Sequence, residues 1–119
     1  MTASSALVAF VALEHAAFFI LESFLFKTPL GLKVFKLTPQ AAEASAVLAA
    51  NQGVYNAFLA AGLFWSLLAA PEAALPLKTF FLACVIIAGL VGGATASRSI
   101  FLVQALPAAL ALGLLRSGH

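Results

Sequence analysis

Apolar residues run through most of the chain in long stretches, and the polar residues between them are few and clustered. The first stretch, ASSALVAFVALEHAAFFILESFLF over residues 3–26, is long enough to cross a bilayer at about 20 apolar residues per helical span. It lacks the basic start and small-residue cleavage site of a signal peptide, so it predicts a mature first helix. KTPLGLKVFKLTPQ follows, where Lys27, Pro29, Gly31, Lys33, Lys36 and Pro39 break the apolar pattern and predict a loop. Thr38 then offers a capping side chain, Pro39 suits the first helical position and Glu43 suits the positive end of the helix dipole. Together they predict a second helix over about 40–70, ended by PEAALP. From Leu77 to Arg116 the chain is nearly unbroken apolar sequence of two spans' length, and TASRS at 95–99 is the only polar punctuation. That places spans at 77–95 and 99–116 with a turn between them.

The expectation is therefore an all-α polytopic membrane protein, a bundle of four transmembrane helices forming a single integral domain over residues 1–119. Composition agrees: 64% of residues are hydrophobic and 8% charged, the mean hydropathy is +1.12, and soluble domains carry roughly a quarter charged residues. Lys27, Lys33, Lys36 and Arg98 fall on one side of such a bundle, against Lys78 and Arg116 on the other. The positive-inside bias then puts the first loop in the cytoplasm and both termini outside. The net charge of +2 is accounted for in this way, and no basic patch interleaved with aromatics points to nucleic acid. Cys84 is the only cysteine and has no disulfide partner within the chain.

Two polar clusters interrupt the spans. In LAANQGVYNAFLAAGL, residues 48–63, Asn51 and Tyr55 are one helical turn apart, as are Gln52 and Asn56. Ala46, Ala50, Gly53, Ala57 and Ala60 form a small-residue stripe on roughly the opposite side, of the kind that lets another helix approach closely. In ALEHAAFFILES, His15 and Glu22 are seven residues apart and differ by only about 20° around the axis, with Glu14 beside them. A carboxylate at the bilayer centre costs on the order of 3 kcal/mol, so these groups are expected to face an interior. Arg98 is the natural partner for Glu22, while Gln104 and Pro107 lie on the last helix, where a proline can expose polar backbone to a cavity. His15 and Glu22 lack the i, i+3 or i+4 spacing of a helical ligand pair, so no metal site is expected, and the sequence names no cofactor.

ALEHAAFFILE, NQGVYNAFLAAGL and AGLVGGATASRSIFLVQALPA resemble the three signature blocks of the family called domain of unknown function 1304. The resemblance covers nearly the whole chain and implies a small four-span protein of the bacterial inner membrane. A more distant likeness links AEASAVLAANQGVYN to the second helix of membrane-associated eicosanoid and glutathione metabolism proteins. Those are four-helix trimers that use lipophilic substrates, so this likeness implies a homo-oligomer, with a trimer favoured. Their pattern sets arginines and a glutamate around an asparagine that Asn51 would match; alanines, Tyr55 and Asn56 stand there instead, which speaks against glutathione.

These residues define a candidate intramembrane chamber. Glu14, His15 and Glu22 are the candidate acid/base groups, and Asn51, Gln52, Tyr55, Asn56, Arg98 and Gln104 the candidate ligand-binding groups. The leading expectation is binding, and conversion if the site is enzymatic, of a small lipophilic molecule beside membrane lipid. Proton-coupled or small-solute transport is the alternative for the same polar groups, and a structural membrane subunit is a third.

Overall fold

A computed structural model describes all 119 residues, and its regular elements are all helical. α1 runs Ala3–Ser23, α2 Pro29–Phe35, α3 Pro39–Leu68 and α4 Pro71–Thr95, and a π-helix Phe101–Ala105 leads into α5, Leu106–Arg116. The first, third and fourth α-helices are long and apolar enough to cross a membrane, whereas Phe101–Arg116 is a shorter apolar segment.

The boundaries follow local chemistry. α3 starts where expected: Thr38 Oγ1 accepts the Ala41 N–H at 3.1 Å, with Pro39 directly after the cap. Residues 27–37 are not wholly loop, however, because Thr28 accepts from Gly31 N–H and Pro29 pre-sets the first turn of α2. Lys36 ends that helix in the left-handed region at φ 56°. PEAALP likewise opens α4 instead of merely closing α3, with Pro71 in its first turn and Glu72 at its positive end. Pro76, inside α4, leaves only the Glu72 carbonyl without its helical N–H, close to the helix start.

The chain divides into two compact units. One comprises Met1–Leu13 and Leu59–His119, with a core of Val8, Val11, Ala12, Leu63, Leu82, Val85, Ala108 and Ala111. Within it α4 and the last segment pair antiparallel, since Gly89 lies against Ala105 and Gly93 against the Phe101 ring. The Leu106 N–H reaches back five residues to the Phe101 carbonyl. This wider turn sits just before Pro107, whose ring and missing N–H are incompatible with the carbonyl four residues earlier in a regular α-helix. At one end of this unit Ser4 N–H meets the His119 carbonyl at 3.4 Å, and Lys78 Nζ donates to Ser5 Oγ at 3.0 Å.

The other unit, Glu14–Phe58, joins the second half of α1, α2 and most of α3. Phe26, Ala42 and Ala49 form its core, with Leu32, Phe35, Leu37 and Ala46 packed around them. Gly31 sits so close to the Leu25 and Phe26 carbonyls that no Cβ fits there, which clamps α2 against the segment that follows α1.

Candidate functional site

Small residues bring α1 and α3 together in the Glu14–Phe58 unit. A Cβ on Gly53 would overlap Ser23 Oγ, so the bare backbone of α3 lets α1 approach. Ser23 Oγ uses that closeness to donate to the Ala50 carbonyl at 3.0 Å. One residue earlier on α1, the Glu22 carboxylate accepts from Asn56 Nδ2 at 2.5 Å, with Glu22 6% and Asn56 9% exposed. The sequence assigned Glu22 an arginine; the structure gives it an amide.

The four polar residues of NQGVYN do not share one environment. Asn56 is buried, whereas Asn51, Gln52 and Tyr55 are exposed. The buried positions on α3 in this unit are Ala42, Ala49, Gly53 and Asn56, so Asn56 belongs to the small-residue seam and not to a face opposite it. The reason is angular: at about 100° per residue, Asn56 lies only about 60° from Gly53.

On α1, His15 is fully buried, as its seven-residue spacing from Glu22 anticipates. Its ring meets Phe18 edge-on at 5.4 Å, and its Nδ1 is 3.9 Å from Glu14 Oε1. That Glu14 oxygen is buried without a hydrogen-bond partner. Arg98 and Gln104 belong to the other unit, Arg98 exposed in the turn after α4 and Gln104 half-buried on the π-helix.

Beside the Glu22–Asn56 pair is a recess of about 310 Å³ lined by Glu22, Ser23, Phe24, Phe26, Lys27, Thr28 and Ala46. It is polar at Glu22, Ser23 and Thr28, and apolar along Phe26 and Ala46. Lys27, which also lines it, is 3.2 Å from the exposed carboxylate of Glu43. Of its seven lining residues the sequence singled out only Glu22 as a site group. Phe24, Phe26 and Ala46 carry no polar signal, and Thr28 was readable only as the cap of a helix that the lysines and prolines concealed.

A family model described as "Protein of unknown function (DUF1304)" matches residues 9–116. No curated protein and no solved structure matches the chain.

Proposed function

The chain belongs to the DUF1304 family, and from that premise we propose that it is an integral membrane protein that binds a small amphiphile in the recess beside Glu22. The observation that carries the reading is a recess lined by the buried Glu22 together with aromatic and aliphatic side chains. A carboxylate has about four acceptor sites, and the Asn56 amide fills one of them. The remaining acceptors suit a head group that donates, an ammonium or a hydroxyl, while Phe24, Phe26 and Ala46 suit the first carbons of its chain. At about 310 Å³ the recess is at the small end of ligand pockets, which span roughly 300–1,000 Å³, so it takes a head group and a short length of tail.

Membrane integration is supported by an inverted distribution of side chains. Large apolar groups such as Leu13, Leu48, Leu68, Phe80 and Ile87 are exposed, while Ser4, His15, Glu22, Asn56 and Ser66 are buried. The last apolar segment completes a fourth crossing in this reading. Its antiparallel pairing with α4 and the contact between Ser4 and His119 support an even number of crossings.

The test is photolabelling of the purified protein in nanodiscs with long-chain diazirine probes bearing an amine, a hydroxyl or a carboxylate head. The amine and hydroxyl probes should label residues 22–28 saturably and the carboxylate probe should not. Glu22→Gln should lower labelling by the amine about tenfold, the equivalent of one charge-assisted hydrogen bond. Absence of saturable labelling at 22–28 in the unaltered protein would sink the proposal.

A further inference from the structure

The amides left exposed on α3 are the most conspicuous features that the recess does not use. Neither Asn51 nor Gln52 is buried, and Tyr55 is 59% exposed. They stand near the middle of a helix of 30 residues, which at about 1.5 Å per residue puts them near the centre of a bilayer that the helix spans. Hydrocarbon offers nothing for an amide to hydrogen-bond, so donors and acceptors there turn to protein.

We infer that this face of α3 is a contact surface for a second copy of the same chain, joined by hydrogen bonds between the Asn51 amides of the two copies, with Gln52 on the flank of the seam. Ala44, Leu48, Asn51, Tyr55 and Phe58 follow alternating steps of four and three residues, the spacing of a helix–helix seam. Leu48 is 74% exposed and Phe58 59%, and all five positions are exposed together. They fall within an arc of about 80°, on the side of α3 away from Ala42, Ala49, Gly53 and Asn56. The seam toward α1 is occupied; this one is vacant and has the same periodicity.

A second copy of the chain meets this face with matching chemistry. A carboxamide both donates and accepts, so it is complementary to itself, and two copies in the same membrane orientation bring like depths together. No charged residue occurs on α3 after Glu43, so two such faces meet without like-charge repulsion. An asparagine at one position of an otherwise apolar and aromatic seam also fixes the register of the two helices.

The experiment uses disulfide crosslinking in native membranes on a Cys84→Ala background. Leu48→Cys and Tyr55→Cys should each give an oxidant-dependent product at twice the protomer mass, identified by mass spectrometry as two copies of this chain. Ile87→Cys, equally apolar in setting and 62% exposed on α4, should give at least fivefold less. Adding Asn51→Leu and Gln52→Leu should lower the Leu48→Cys yield several-fold while far-UV circular dichroism stays unchanged. If that double change prevents folding, the contrast between the Leu48→Cys and Ile87→Cys proteins still decides. Equal crosslinking at the three positions, products containing a different protein, or an unaltered yield in a folded amide-free variant would each overturn the inference.

Discussion

Glu22 and Asn56 show how much one hydrogen bond can be asked to do in an apolar setting. The carboxylate is 6% exposed and takes the Asn56 amide. Replacing Asn56 by Leu should therefore destabilise the fold by about 2–3 kcal/mol, because a buried acceptor loses its donor. Glu22→Leu combined with Asn56→Leu should recover most of that loss, since removing both partners leaves no polar group orphaned. Detergent unfolding followed by circular dichroism checks the cycle; additive losses would mean that the two side chains do not act as a pair. At this scale the sequence was only partly legible. His15 and Glu22 are both buried, as their spacing implied, but Asn56 was placed with Asn51 when it belongs with Gly53. A difference of one residue is about 100° of rotation, and polarity alone does not say to which side of that boundary an amide falls.

Between elements, glycines decide how closely backbones approach, and the obstacle each one faces sets the cost of filling it. At Gly53 the nearest atom to an added Cβ is the Ser23 hydroxyl, the end of a side chain that can rotate away. At Gly31 the obstacles are the Leu25 and Phe26 backbone carbonyls. Gly53→Ala should thus cost about 1 kcal/mol and Gly31→Ala about 2–3 kcal/mol, the upper part of the range for overpacking. Thermal melts of the two variants side by side check the order, and a Gly31→Ala protein as stable as the Gly53→Ala protein would refute it. Helix starts were readable where a cap and a proline stood before a long apolar run, as at Thr38 and Pro39. The same pair at Thr28 and Pro29 opened a helix that ran only to Phe35. Three lysines and a glycine hid it, because so short an element has no apolar period to display.

For the whole molecule, the distribution of lysines and arginines carries the prediction of orientation. Lys27, Lys33 and Lys36 lie in or beside α2, and the positive-inside bias predicts a cytoplasmic position for that segment. On a Cys84→Ala background, a membrane-impermeant thiol reagent added to intact cells should modify Ser117→Cys and leave Lys33→Cys unmodified. The reverse pattern would invert the topology. The apolar character of the chain was legible from composition, and three of its helices are long and apolar enough to cross a membrane. What the linear pattern did not carry was the division into two units, with α1 and α3 each contributing to both. A nearly continuous apolar sequence does not mark where one packing cluster ends and the next begins.

The wide turn ahead of Pro107 changes what a lost codon would mean for the last helix. Removing one residue from a regular α-helix rotates everything beyond it by about 100°, so a deletion at Ala109 would swing Ala111 away from Ala108 and out of the core that both occupy. The segment Phe101–Ala105 already holds a residue more than an α-turn needs. Deleting Val103 together with Pro107→Ala would let that turn tighten and leave Ala108 and Ala111 in the same angular phase. For this stretch of chain, a shortening that would scramble an ordinary helix is one the helix can absorb.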